Sequence, residues 1–118
     1  MRKIASDEDM LTVITETFRL LGDPTRLKII LACLDKPKCV TDVAAEAGVT
    51  GSLTSHHLRL LRSARLVRAE RQGRQIFYVA ADGYVNAMLT AMVAHVRQAN
   101  PDADNDDDAA APRCVSGR

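Results

Sequence analysis

The chain has 118 residues, enough for one ordinary domain and too few for two. Apolar residues make up 47% of it, but aromatics only 3% and Trp is absent, so the core must be aliphatic; the longest unbroken apolar stretch, IILACL, is far short of a membrane span. The net charge of +1 conceals an uneven distribution: after Asn100 come five Asp against two Arg, an acidic tail that masks a basic body.

The amino terminus, MRKIASDEDM, meets acidic residues before any apolar run, which is not the pattern of a secretion signal, and the expected location is the cytoplasm. Three cysteines without a framework spacing then predict reduced thiols and not a disulfide scaffold. In MLTVITETFRLLG, Leu11, Ile14, Phe18 and Leu21 recur at three- and four-residue spacing, an amphipathic helix ended by Gly22. DPTRLKIILACLDK follows as a second helix, with Asp23 as cap, Pro24 in the first turn, a stripe of Leu27, Ile30, Leu31 and Leu34, and Pro37 as its stop.

VTDVAAEAG is a short third helix closed by Gly48, and VTGSLTSHHLRLLRSARL a fourth, with Thr50 as its N-cap. Two short helices joined by about three residues around a glycine form a helix-turn-helix, whose second member is free to enter a groove of a duplex. The period then changes: LVRAERQGRQIFYVA alternates apolar and polar residues around RQGR, a β-hairpin with Gly73 in the turn. The last helix, DGYVNAMLTAMVAHVRQ, has an apolar face (Val85, Met88, Leu89, Met92, Val93, Val96) broader than one small domain needs. The fold class is therefore mostly α with a small β-hairpin. The expected domains are residues 1–99, folded, and residues 100–118, a disordered acidic tail containing Cys114.

An arginine falls at every third position from Arg59 through Arg62, Arg65, Arg68 and Arg71 to Arg74, opposed only by Glu70. On a helix-turn-helix and its adjoining hairpin, this is a phosphate-binding footprint. Base reading needs short polar side chains near the start of the recognition helix, and Thr50, Ser52, Thr54, Ser55 and His56 have that reach. The predicted DNA-binding set is these five with Arg59, Arg62, Arg71 and Arg74. His57 points about 100° away from His56 and is expected to lean into the helix packing, half-buried; two adjacent histidines do not chelate one ion easily. A cysteine-histidine nucleophile pair is formally available, but no orienting third residue or oxyanion loop accompanies it, so no enzyme is expected.

Three segments, LGDPTRLKII, CVTDVAAEAGVTGSLTSHHLRLLRSARLV and RQGRQIFYVAAD, resemble the ArsR/SmtB family of winged helix-turn-helix repressors, with similarity running from about residue 10 to 98. The resemblance implies a homodimer paired through its first and last helices, bound to double-stranded operator DNA and released by an inducer. It also implies two types of inducer site. A thiolate-rich type begins with a CVCD motif; here the motif reads CVTD, so Cys39 matches the first cysteine and Thr41 replaces the second. A second type joins the two last helices; Asp82 and His95 match its pattern, but Tyr84 and Gln98 stand where further ligands belong, and two ligands are too few for tight zinc.

The remaining thiols favour soft ions such as cadmium, lead or arsenite over zinc or nickel. Cys39 with Cys114, and Cys33 as a lesser member, is the expected inducer site, Asp82 and His95 the weaker candidate. The function expected is a DNA-binding transcriptional repressor released by a soft metal or metalloid ion. The alternatives are a redox- or persulfide-responsive repressor using the same cysteines, and a protein-binding winged helix without DNA contact.

Overall fold

In a computed structural model, residues 6–99 are described, and eight elements follow in the order α1 (Asp7–Leu21), α2 (Pro24–Leu31), β1 (Lys38–Cys39), α3 (Val40–Ala47), α4 (Gly51–Ser63), β2 (Val67–Gln72), β3 (Gln75–Ala80) and α5 (Gly83–Ala99). The acidic tail and Cys114 lie outside the described residues.

Local chemistry sets most helix boundaries. Ser6 accepts a hydrogen bond from the backbone N–H of Asp9 at 3.1 Å, and Asp7, Glu8 and Asp9 place negative charge at the positive end of α1. Asp23 caps α2 through the N–H of Arg26 at 2.9 Å, with Pro24 behind it as expected. That hydrogen bond is the main reason the Asp23 carboxyl lies below its usual range. Thr50 caps α4 through the N–H of Leu53 at 3.1 Å. Gly48 ends α3 at φ 71°, where its N–H and that of Val49 both donate to the Ala44 carbonyl.

Three expectations are corrected. The second helix stops at Leu31 and does not run on to Pro37, because residues 32–37 turn to deliver β1. The turn is pinned by Lys38, whose buried ammonium donates to the Ala32 carbonyl at 2.6 Å and pairs with Glu46 at 2.8 Å and Asp35 at 3.1 Å. From α5, the Asn86 amide donates to the Leu34 carbonyl at 2.6 Å. Strand β1 is an addition to the expected hairpin; two residues are too few to show alternation in a sequence. It pairs antiparallel with β3 (Lys38 opposite Tyr78, Cys39 opposite Phe77), turning the hairpin into a three-stranded sheet of order β1-β3-β2. Finally, α4 ends at Ser63 and not at Leu66, with Arg65 at φ 65° allowing the Leu66 N–H to close back on the Leu61 carbonyl at 2.9 Å.

The hairpin has the expected place and turn: Gln72 faces Gln75, and Gly73, at φ 65°, leads the two-residue loop. The core is aliphatic. Ile29 and Ile30 of α2, Val43 of α3 and Leu58 and Leu61 of α4 are fully buried, with Leu66, Val67 and Leu89 around them. No helix among the described residues is long and apolar enough to cross a membrane.

A Cβ added at Gly48 meets nothing within 4 Å, so Gly48→Ala isolates the cost of the left-handed backbone. Urea denaturation should show a loss of about 1–2 kcal/mol; an unchanged midpoint would mean that the α3–α4 turn adopts another conformation.

Candidate nucleic-acid interface

Helix α4 buries Thr54, His57, Leu58 and Leu61, one face at spacings of three and four. On a 3.6-residue helix, Ser52, His56, Arg59 and Ser63 then project from the opposite side, and all four are exposed. Ser55 is half-buried on the flank and Arg62 exposed beside it. Exposed residues thus run the length of the helix, bounded by the Thr50 cap at one end and Arg62 and Arg65 at the other.

The structure differs from the sequence reading at Thr54. Its side chain is fully buried, and its hydroxyl is a buried oxygen without a hydrogen-bond partner, so it belongs to the core and is not positioned to touch a base. Thr50 is exposed, but its hydroxyl oxygen already accepts from Leu53. Arg68, one of the six periodic arginines, is engaged within the sheet: Nη1 donates to the carbonyls of Ala80 and Ala81 at 3.2 Å, and Nη2 to Glu70 Oε2 at 2.8 Å. Arg59, Arg62, Arg65, Arg71 and Arg74 are exposed, with Arg74 in the hairpin turn and Arg71 next to it. The arrangement is a helix carrying short polar groups and cations, flanked by a cationic wing.

Leu53 is an apolar surface residue outside the polar set expected from the sequence. It stands at the third position of α4 and is 40% exposed, able to make the apolar contact that a thymine methyl group accepts. The signal is present in the buried spacing itself, since a core face centred on Thr54, Leu58 and Leu61 leaves Leu53 outside.

His57 is buried, as its sequence position suggests, and more deeply than half: it is 9% exposed. Arg26 of α2 donates from Nε to His57 Nδ1 at 3.3 Å and from Nη1 to the Leu20 carbonyl of α1 at 3.2 Å. Burial, and then the adjacent Arg26 charge, hold His57 below its ordinary pKa range.

The candidate metal ligands are not gathered in one place. Cys33 is fully buried, and burial pushes its thiol up to about 12, a poor origin for a thiolate ligand in this packing. Cys39 is also buried, at the residue that precedes α3; the Lys38 ammonium beside it in sequence is committed to Ala32, Asp35 and Glu46. Its sulfur is disulfide-bonded, which corrects the expectation that every cysteine is a reduced thiol. Asp82 is exposed, with one carboxylate oxygen capping α5 through the Val85 N–H at 2.9 Å. His95 lies thirteen residues along the same chain, about 20 Å away along the helix, so only a second copy could bring the two together. Among the described residues, no group of three or more His, Cys, Asp or Glu could hold a metal ion.

A three-helix core, a helix-turn-helix with one face open and a basic two-stranded wing define a winged helix-turn-helix DNA-binding protein. Residues 23–69 match the model of the bacterial regulatory protein arsR family. The chain is 37% identical over 92 residues to the transcriptional repressor SmtB homolog of Synechocystis, covering 78% of this chain and 70% of that protein. It is 38% identical over 99 residues to the HTH-type transcriptional regulator CmtR of Mycobacterium tuberculosis, covering 84% and 80%. The homodimeric winged helix-turn-helix DNA-binding domain Mb0332 of Mycobacterium bovis has the same fold, with a TM-score of 0.72 at 21% identity over 89% of this chain and all of that one. Reduced HlyU of Vibrio cholerae superposes with a TM-score of 0.68 at 23% identity, over 75% and 93%. The chain belongs to the ArsR/SmtB family of transcriptional regulators, and is a DNA-binding regulator and not an enzyme.

Replacing Thr54 by valine removes the unpartnered hydroxyl at constant shape. Thermal unfolding should show a gain of about 1 kcal/mol with DNA affinity unchanged; weakened binding at unchanged stability would return Thr54 to the interface. Arg71→Ala and Arg74→Ala should each weaken binding to all duplexes alike and reduce the slope of log K against log salt by about 0.9 for each phosphate no longer neutralised. A sequence-selective loss would assign these side chains to base reading.

Proposed function

We propose that the chain is an operator-binding repressor that acts as a homodimer and is released by a soft metal or metalloid ion through Cys39 and Cys114 in their reduced form. The observation that carries the DNA-binding part is the separation of faces on α4, with the core on one side and Ser52, His56 and Arg59 on the other, next to the exposed Arg71 and Arg74 of the wing. The cytoplasm, where operator DNA is found, is the compartment this reading requires.

Dimerisation is supported by apolar surface that one copy leaves in water. On α1, Leu11 is 63% and Phe18 57% exposed, joined by Met10 and Ile14; on α5, Met92 and Val96 are each more than half exposed. Between α2 and α5 an apolar cavity of about 250 Å³ is lined by Leu27, Leu31, Leu89, Met92, Val93 and Val96, with Arg97 at its edge. A second copy pairing through the first and last helices covers this surface and sets two recognition helices against successive turns of a duplex.

For the inducer, the Cys33 thiol, pushed up to about 12, and the sparse α5 pair are the weaker candidates, and we take Cys39, at the start of α3, with Cys114, both once reduced, as the thiolate donors. A bound soft ion would supply charge and strong sulfur bonds between them. Cys39 immediately precedes the first helix of the helix-turn-helix, so a constraint on its side chain acts directly on how α3 and α4 sit. The coupling required is modest, about 1–3 kcal/mol.

The experiment is fluorescence anisotropy of reduced, metal-free protein on its own upstream DNA, with zinc, nickel, cadmium, lead, arsenite and a thiol oxidant added separately. The expected result is release by the soft ions alone, abolished by Cys39→Ser and by Cys114→Ser. Release by zinc or nickel would transfer the site to Asp82 and His95, release only by an oxidant would make it a redox switch, and failure to bind DNA would overturn the reading as a whole.

Phe18→Glu tests the dimer. Sedimentation equilibrium should show a dimer for the parent and a monomer for the variant, with selective DNA binding lost as well; a monomeric parent that still selects operator DNA would refute the proposal.

A further inference from the structure

The packing between α2 and α4 is largely apolar, through Ile29, Ile30, Leu58 and Leu61. Such contacts fix how closely two helices approach, but they are non-directional and specify poorly how one is rotated or slid against the other. A directional contact comes from Arg26. Its planar guanidinium donates from Nε to His57 Nδ1 and from Nη1 to the Leu20 carbonyl, while its own backbone N–H is held by Asp23 Oδ2. One rigid group therefore spans the end of α1, the first turn of α2 and the middle of α4.

Taking α4 as the recognition helix, as proposed above, we propose that Arg26 and His57 are positioning residues that fix the recognition helix relative to α1, and that selective DNA binding requires the neutral His57 ring.

The chemistry follows from the donor and acceptor roles. An arginine N–H only donates, so Nδ1 must present a lone pair and the ring proton must sit on Nε2. A proton taken from solvent onto Nδ1 turns the acceptor into a donor and sets a cation against the guanidinium. The residue is 9% exposed, so the new charge is poorly hydrated. The charged and titratable groups acting on it are Arg26 of α2, Asp23 at the α2 cap and His56 on α4; Asp23 favours the charged ring, while burial, Arg26 and His56 oppose it.

The consequence reaches the reading face through one residue. The His56 ring lies 5.4 Å from that of His57, centre to centre, and points outward from the adjacent position. A change in how His57 is seated rotates His56, Arg59 and Ser52 together, because all belong to one rigid helix. The α1 side of the bridge carries the exposed apolar face with Leu11 and Phe18, so the same contact relates the dimer surface to the recognition helix.

A core histidine with no positioning role would change stability alone. The test therefore measures discrimination: the ratio of affinities for the upstream operator duplex and a scrambled duplex of equal composition, at about 0.15 M salt, from about pH 8 to about pH 5.5. Circular dichroism at each pH verifies that the protein is folded. The parent ratio should fall about tenfold or more as pH drops through the His57 range, below about 6.5. His57→Gln, whose side-chain carbonyl accepts from Arg26 at every pH, should hold its ratio. Parallel profiles for the parent and His57→Gln, or a parent ratio that stays constant, would overturn the proposal.

If His57→Gln does not fold, the parent alone decides by NMR titration of the His57 ring with and without operator. Selection for the neutral ring requires operator binding to lower its pKa, whereas nearby phosphates acting on a merely structural histidine would raise it. An increase or no change counts against the proposal. Equal affinity for operator and scrambled DNA at the highest pH would instead signal failure of the DNA-reading assignment itself.

Discussion

A helix thirteen residues long has to belong to the core and to a contact surface at the same time. In α4 the buried face is narrow, Thr54, His57, Leu58 and Leu61, and all of the remainder but the half-buried Ser55 is left to solvent. The rest of the domain serves that division. Helices α2 and α3 supply Ile29, Ile30 and Val43 against the buried side, Gly48 turns the chain so that α4 can cross, and the Thr50 cap starts the helix where polar side chains must stand forward. Burial of complete aliphatic side chains, roughly 1.5–3 kcal/mol each, holds in place an exposed face that contributes little stability of its own.

The wing follows from the same constraint. The short strand β1 anchors β3 to the helical body, and the Ala80 and Ala81 N–H groups donate to the Cys33 and Leu66 carbonyls at 2.9 and 3.0 Å. With the hairpin base fixed, Arg71 and Arg74 stand at its far end, away from the core. Arg68 lies on the same run of cations but at the base, where it closes the strand ends and pairs with Glu70. The even arginine spacing therefore includes one cation that closes the sheet base through Ala80, Ala81 and Glu70, a role given to it by its position along the hairpin.

Much of this is legible in the sequence because it rests on local chemistry. Caps at Asp23 and Thr50, the αL glycine at 48 and the RQGR turn each have a short-range physical cause, and the structure has each where the sequence puts it. The misses depend on distant partners. The end of α2 is set by Lys38 and Asn86, which reach residues 32–35 from two other elements, while Glu46 of α3 pairs with the Lys38 ammonium. A two-residue strand exists only because β3 is beside it. Thr54 has the chemistry and the place in the chain of a base reader, but its orientation depends on where α2 and α3 lie. Legibility of the DNA-facing site is thus good for residue type and poorer for direction, whereas Arg26 and His57, thirty-one residues apart, offer no local signal of their contact.

Two copies of this helix and wing are proposed to read DNA together. The most direct measurement is selection of bound duplexes from a random-sequence library by the intact protein, followed by sequencing. The expected product is an inverted repeat whose half-site centres are separated by about 10 base pairs or a multiple of that. Enrichment of a single, unsymmetrical site would contradict the dimeric arrangement, and the absence of any enriched sequence would contradict sequence-specific binding.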